Sequence, residues 1–183
     1  MSRLTSLGLM MFLTTFPYAA DQPDTKRGDE MIEKYLAGPG LLRRAVAGMT
    51  GGELLARPVP GKWSTLEVVC HLADYEPIYA DRMKRVIALD GPELLQGDPG
   101  LFAVRLAYDR RDVEDELSLI ELTRRQMAHI LRGLTPEDFR RAGTHSRDGA
   151  LTLENLLQRV TAHIPHHARF IEEKRRALSL AGG

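Results

Sequence analysis

Apolar residues recur every three or four positions along most of the chain, which is the spacing of amphipathic helices. The pattern predicts four long helices, at about Asp29–Met49, Thr65–Leu89, Arg111–Leu134 and Thr152–Ala177. Alternating apolar runs and Asn-Gly turns, which would predict strands, are nearly absent. The pattern therefore predicts an all-α protein, a four-helix bundle with long connecting loops.

Local signals mark several helix boundaries. Ser64 is a suitable N-cap and Glu67 follows three residues later, which predicts a capping box at the start of the second helix. Pro77 lies inside that helix and is expected to bend it, because proline removes one backbone hydrogen bond. The Gly38-Pro39-Gly40 run interrupts the first helix, and Thr50-Gly51-Gly52 is expected to end it. Residues 90–100 are rich in glycine, proline and aspartate and predict a loop that could cover a site.

The chain divides into a leader and linker at residues 1–28 and a helical domain at residues 29–183. Arg3, the apolar run of residues 7–16 and the small residues after it have the outline of a secretory signal. That run is too short to span a bilayer. A start codon assigned too early, with the folded protein beginning near Met31, explains the same stretch. We expect a cytoplasmic protein, with export through the leader as the alternative.

Composition removes several classes of function. The 25 basic and 25 acidic side chains give a formal net charge of zero, which argues against a nucleic-acid partner. The nearest basic cluster, Lys174-Arg175-Arg176, is expected to be a solvated helix end. A single cysteine, Cys70, excludes an internal disulfide and a four-thiolate zinc site. Cys70 itself is expected to be a packing residue. Any metal must therefore be bound by imidazole and oxygen ligands.

Half of the six histidines lie between residues 161 and 167. His163 and His167 are four residues apart and lie on one side of a helix, a spacing that lets two imidazoles bind one metal. On a helical wheel His167 lies within the apolar stripe and His163 at its edge, whereas His166 lies outside. Two core imidazoles that bond to neighbouring helices are the competing explanation.

A catalytic metal site with three protein ligands needs a further ligand from another helix. His71 lies at the edge of the apolar side of the second helix, and a bundle brings ligands from facing helices together. Helical periodicity alone does not select His71. His129 is expected to be a half-exposed helix residue, and His145 a solvent-facing loop residue.

Three residues near these histidines have two interpretations each. Asp74 could orient a ligand histidine or pair with an arginine at the surface. Glu76 lies on the apolar stripe and is expected to be the buried partner of an arginine, with a general base as the alternative. Trp63 is expected to pack the helix entry rather than to bind substrate. The sequence has no Gly-rich phosphate loop, nucleophile elbow or dinucleotide fingerprint.

Two pairs of motifs resemble the DinB family. The first pair is Pro60-Gly61-Lys62-Trp63-Ser64 and Cys70-His71-Leu72-Ala73-Asp74, and the second is Leu151-Thr152-Leu153-Glu154-Asn155-Leu156-Leu157 and His163-Ile164-Pro165-His166-His167. The resemblance covers residues 29–178, and the motifs have the family's order and separation. It implies a DinB-like four-helix bundle with a trihistidine metal site, whose ligands in this chain are His71, His163 and His167.

The resemblance also implies a homodimer and one divalent metal ion per chain, for which we expect zinc or nickel. Relatives include thiol-dependent transferases, a mycothiol-dependent maleylpyruvate isomerase and proteins described as metal-dependent hydrolases. The expected function is an enzyme that acts on a small-molecule substrate, as a hydrolase or as a transferase of a low-molecular-weight thiol. A non-catalytic metal-binding or stress-response bundle is the alternative. An open coordination position that faces a cleft would favour the enzyme.

Overall fold

Four long helices form the framework of the protein in a computed structural model, which describes residues 23–181. They are α1 (Pro23–Val46), α3 (Thr65–Ala88), α5 (Val113–Leu131) and α6 (Leu153–Ala181), joined by segments that hold the short helices α2 (Gly51–Leu55) and α4 (Pro99–Arg105). Helices α1 and α3 each pack against both α5 and α6. The predicted helical bundle is confirmed. No helix in the described part of the chain is long and apolar enough to cross a membrane.

Buried side chains fill the space between the four helices in two clusters. The cluster towards the start of α1 includes Tyr35, Met83, Met127 and Leu157. The other contains the apolar residues that flank the clustered histidines: Leu42, Val69, Leu72, Ile120, Ile164 and Ile171. Burying each of these side chains is worth about 1.5–3 kcal/mol, so the core fixes how α3 faces α6.

The start of α3 follows its sequence signal. Ser64 Oγ accepts a hydrogen bond from the Glu67 backbone N–H at 3.1 Å. The Glu67 carboxylate accepts one from the Ser64 N–H at 2.7 Å, which completes the predicted capping box. Arg57 also donates to Glu67, so that carboxylate joins the preceding loop to the helix. The helix continues through Pro77 to Ala88.

The structure corrects two boundaries of the first helix. Helix α1 begins at Pro23, so residues 23–28, predicted as linker, are helical, and it continues through Pro39. Helix α1 ends at Val46, and Thr50, which was expected to end it, is the N-cap of α2 and forms a capping box with Glu53. The proposed signal in residues 1–22 lies outside the described residues, and the domain boundary at residue 29 stays a prediction.

A small sheet lies beside the bundle and was not predicted. Strands β1 (Glu93–Leu94), β2 (Ala142–His145) and β3 (Gly149–Thr152) are arranged in that order, with β1 parallel to β2 and β2 antiparallel to β3. The predicted loop at residues 90–100 therefore contains a strand and leads into α4. Strands of two to four residues are too short for an alternating pattern to mark them.

Candidate metal centre

Three histidines meet where α3 faces α6. His71 comes from α3, and His163 and His167 come from successive turns of α6. The Nε2 atoms of His71 and His163 are 3.1 Å apart, and one ring nitrogen from each of the three residues lies within 4.8 Å of the others. Their ring centroids are 4.8–4.9 Å apart in every pair. The structure thus brings together the three residues that the family resemblance selected.

Helical periodicity explains the position of the pair on α6. Val160, Ile164 and Ile171 are fully buried and fix which side of α6 faces the core. His163 and His167 lie along the edge of this apolar side, and both are partly buried. A spacing of four residues brings their rings together, as adjacent turns of a helix require.

Burial keeps the three imidazoles neutral. Desolvation lowers the pKa of His71 from 6.5 to about 4, although the negative charge of Asp74 opposes this shift. Desolvation and the neighbouring histidines lower the pKa of His163 and of His167 to about 3. At neutral pH each ring therefore has a free lone pair, and this is the form of histidine that binds metals.

The donor set fits a divalent transition metal. Two imidazole nitrogens bound to one tetrahedral zinc lie about 3.3 Å apart, because each Zn–N bond is about 2.0–2.1 Å. The distance of 3.1 Å between His71 and His163 is close to that value. Among the described residues, no fourth histidine, cysteine or carboxylate joins the cluster. Three neutral nitrogens would leave at least one coordination position for water or substrate.

Aromatic rings and a cavity surround the cluster. The ring of Tyr75 lies 4.6 Å from that of His71, and the ring of Trp63 lies 5.3 Å from it, between centroids. A cavity of about 220 Å³ opens beside His167, with Trp63 and Phe170 among its walls. Trp63 packs against the core, as predicted, and it also lines this cavity. An open coordination position would therefore be next to space for a small molecule.

Asp74 pairs with an arginine, as in the second of its two interpretations, but the pair is partly buried and does not lie at the surface. Its carboxylate lies 2.8 Å from Arg111 Nη1 and accepts a hydrogen bond from the Tyr108 hydroxyl at 2.7 Å. Arg111 also pairs with Glu116. The Nδ1 atom of His71 is buried and has no hydrogen-bond partner among the described residues. Asp74 thus acts on His71 through its charge and not through a hydrogen bond.

Glu76 is the buried partner of an arginine, as predicted. Its Oε2 atom lies 2.9 Å from Arg124 Nη2, and both side chains are completely buried. Arg124 also donates to the backbone oxygens of Tyr35 and Val160. Gly38 makes this arrangement possible, because a Cβ atom there would collide with the Arg124 guanidinium. Gly38, which was expected to interrupt α1, is the position at which α1 closely approaches the Arg124 side chain.

The remaining histidines and the cysteine lie outside the cluster. His166 is exposed and contacts Arg169, as expected for the outer side of α6. His129 is exposed on α5. The expected exposure of His145 is wrong: it is buried on β2, and its Nδ1 accepts backbone N–H groups after the strand. Cys70 is buried, as predicted, and burial raises the pKa of its thiol to about 12.

Lys174 is buried, contrary to the prediction from the sequence. It was expected at a solvated helix end, but only 2% of its surface is exposed. Its Nζ donates a hydrogen bond to the Phe170 carbonyl oxygen at 3.1 Å, and its side chain lines the cavity beside His167. Helix α6 continues past it to Ala181, so residues beyond position 174 form the actual end.

Comparisons with known proteins agree with this geometry. A family model of the DinB superfamily matches residues 35–171, which include all three clustered histidines. The chain belongs to the DinB superfamily. The resemblance noted in the motifs is therefore confirmed.

Two bacterial relatives and one solved structure cover most of the chain. The protein of Oceanobacillus iheyensis named "Putative metal-dependent hydrolase OB0782" is 28% identical over 143 residues, which are 78% of this chain and 83% of that protein. "Putative metal-dependent hydrolase YfiT" of Bacillus subtilis is 28% identical over 151 residues, 82% of this chain and 85% of its own length. The structure of YfiT, described as a probable metal-dependent hydrolase with an unusual four-helix bundle topology, matches with a TM-score of 0.80 and 26% identity, over 90% of this chain and 93% of YfiT.

Proposed function

We propose that this DinB protein is a metal-dependent hydrolase that binds one divalent ion through His71, His163 and His167. The observation that carries the proposal is the convergence of three neutral imidazoles, with no further ligand from the described residues, beside a cavity. The names of the two curated relatives support hydrolysis as the reaction. Imidazole ligands suit zinc and nickel, which we propose as the ions to test first.

The residues of the site have separate tasks in this proposal. The three imidazoles supply the ligands, and their low pKa values keep them deprotonated at neutral pH. These three residues would hold a divalent ion, which would supply the Lewis acidity needed to activate water and to polarise the bond to be cleaved. Trp63 and Tyr75 place aromatic surface next to the His71 ring and so limit the access of bulk water.

The two carboxylates that follow His71 most closely along α3 are paired with arginines. Asp74 is bound by Arg111 and Glu76 by Arg124, so neither is proposed as the general base. Their proposed role is to hold the helices that present the imidazoles. Burial raises the pKa of Glu76 and the cation of Arg124 opposes that shift, as expected for a structural ion pair in the core.

The experiment is metal analysis followed by an activity screen. Full-length protein is treated with a chelator, reloaded with zinc or nickel, and tested on a panel of carboxylic esters, amides, lactones and phosphate esters. We expect about one ion per chain and hydrolysis that requires it. His166→Ala, at the exposed neighbour, is the matched control for His71→Ala. If the protein binds no metal, or if hydrolysis continues without it, the proposal is wrong.

The same screen separates the alternatives. A reaction that proceeds only when a low-molecular-weight thiol is added, and that forms a thioether or thioester product, would identify a thiol transferase. Metal binding without any turnover would favour the non-catalytic bundle. The small-molecule substrate, the thiol partner and the homodimer stay predictions, and sedimentation analysis of the metal-loaded protein tests the last of them.

A further inference from the structure

Lys174 is a buried cation that forms no salt bridge with any residue that the structure describes. Its ammonium has three N–H donors, and the structure uses one of them, in the bond to the Phe170 carbonyl. Among residues 23–181, no carboxylate oxygen lies within 4.0 Å of its Nζ. The nearby Glu67 is held by Arg57 and by the N-terminus of α3. An ammonium in this environment is costly unless an anion reaches it.

An anion could reach the Lys174 ammonium through the cavity beside His167. Lys174, the exposed Lys62 and His167 all line this space, and none of its lining residues is acidic. Trp63, Val68 and Phe170 are the apolar side chains that line the same space. The cavity is therefore complementary to an apolar group that ends in a negative charge.

The spacing along α6 sets the length of such a molecule. Lys174 follows His167 by seven residues, so the two lie on the same side of the helix, about 10 Å apart along its axis. Long side chains on a helix point back towards its N-terminus, which brings the ammonium nearer to the histidine cluster. A molecule that spans the two points needs a spacer of only a few carbon atoms.

We propose that Lys174 is the residue that recognises the substrate, by binding a carboxylate joined through a short apolar spacer to the group that is hydrolysed at the histidine cluster. This inference rests on the proposed function, because it places the other end of the substrate at the metal. Lys62 adds a second positive charge at the exposed rim. Lys174 is a specificity residue here and takes no part in the bond that breaks.

Trp63 makes the proposal testable without a known substrate. It is the only tryptophan in the chain and it lines the cavity, so its fluorescence reports occupancy directly. Zinc-loaded, full-length protein is titrated with 3-phenylpropionate and with 3-phenylpropanamide, its neutral counterpart. We expect the carboxylate to bind at least about tenfold more tightly, since a hydrogen bond to a charged group has that effect on affinity.

Variants locate this preference on the molecule. Lys174→Met keeps the length of the side chain and removes the charge, so it should reduce the preference to less than about threefold, whereas Lys174→Arg should retain it. Arg176→Met removes an exposed cation from the same helix and is the matched control, which should leave the preference unchanged. Circular dichroism and zinc content are measured for each variant. If Lys174→Met does not fold, Lys174→Gln is used in its place.

Two results would overturn the proposal. The first is a wild-type protein that binds the carboxylate and the amide equally. The second is a folded Lys174→Met or Lys174→Gln variant that keeps the preference, because the carboxylate would then bind elsewhere, for example at the zinc. Failure of the proposed function would be recognised by a different result, namely a wild-type protein that binds no zinc. The preference for the carboxylate can still be measured in that case, so the two failures are distinguishable.

Discussion

Two imidazoles of the cluster, those of His71 and His163, contain buried nitrogen atoms that have no hydrogen-bond partner in the described residues. In both rings this atom is Nδ1. Buried polar groups without partners oppose folding by about 1–3 kcal/mol each. The arrangement is explained if the binding of an ion offsets this unfavourable free energy, since a ligand that binds only the folded state stabilises it.

The cluster predicts a clear order of effects on metal binding. His71→Ala, His163→Ala and His167→Ala should each weaken zinc binding by well over tenfold, because loss of a ligand exceeds the 10–100-fold typical of residues that only orient one. His166→Ala should leave the affinity nearly unchanged, because its ring is exposed. Competition with a chromophoric chelator measures all four. Full affinity in His71→Ala would refute the ligand assignment.

The low pKa values predict how stability changes with pH in the metal-free protein. In the unfolded chain His71 takes up a proton near pH 6.5, whereas in the folded protein it does so only near pH 4. The unfolded state therefore binds more protons between these values, and folding stability must fall as the pH is lowered through this range. The shift corresponds to about 3 kcal/mol for His71 alone.

Urea denaturation at pH 7.5 and pH 5 measures the part of this loss of stability that develops above pH 5. His71→Gln removes one titrating ring, so the difference between the two pH values should shrink. His166→Gln is the matched change at an exposed position and should leave it unaltered. An equal pH dependence in the wild-type protein and His71→Gln would contradict the assignment of the shift to burial.

The burial and the role of some of these residues could be predicted from the sequence, and those of others could not. His163 and His167 could be chosen from helical spacing, because their burial depends on the pattern of α6 alone. His71 needed the family resemblance, because its position at the edge of α3 becomes a site only when α6 packs against it. Lys174 and His145 were predicted to be exposed, since their burial depends on packing between segments that are distant in the sequence.

At the scale of the elements, α1 shows how one glycine sets the approach of two helices. Gly38 lies where the Arg124 side chain of α5 passes, whereas Gly40, two residues on, meets only the Arg44 side chain, at 3.5 Å. Arg124 is bonded to three groups and cannot easily move away. Helix α1 can therefore pack this closely on α5 only if position 38 has no side chain.

Two substitutions in α1 test this explanation. Gly38→Ala should destabilise the protein by about 1–3 kcal/mol, the usual cost of overpacking a core. Gly40→Ala should be neutral or stabilising by about 0.5–1 kcal/mol, because alanine favours a helix over glycine. Thermal and urea denaturation compare the two variants. A Gly38→Ala protein as stable as Gly40→Ala would show that Arg124 does not restrict this position.

Elements were predictable where their signals are local. The first residue of α3 follows from the Ser64 and Glu67 capping box, which depends on only four residues. The end of α1 was less clear, because Thr50 begins α2 as well as following α1. The paired residues of strands β1 and β2 are 51 positions apart in the sequence, as in the pair Glu93 and Thr144. Such pairing depends on the packed bundle, so no short pattern could indicate it.

At the scale of the whole molecule, one buried ion pair joins all four long helices. Arg124 belongs to α5 and bonds to the Tyr35 carbonyl of α1, the Glu76 carboxylate of α3 and the Val160 carbonyl of α6. Val160 lies less than one turn before His163, and Glu76 lies five residues after His71. The ion pair is therefore close to both helices that supply the proposed ligands.

This position predicts that removing half of the pair disturbs both stability and metal binding. Glu76→Leu leaves the Arg124 cation buried and unpaired, which should cost about 3–5 kcal/mol. We also expect zinc affinity to fall, because α3 and α6 would lose a fixed point beside the ligands.

The double variant Glu76→Leu/Arg124→Leu removes both charges and should recover most of the stability, because an apolar pair can replace a buried ion pair. Denaturation and zinc competition, measured on both variants, separate the two effects. If the double variant regained stability but not zinc affinity, Arg124 would be needed to position the histidines, and if it regained both, the pair would serve only to avoid an isolated charge.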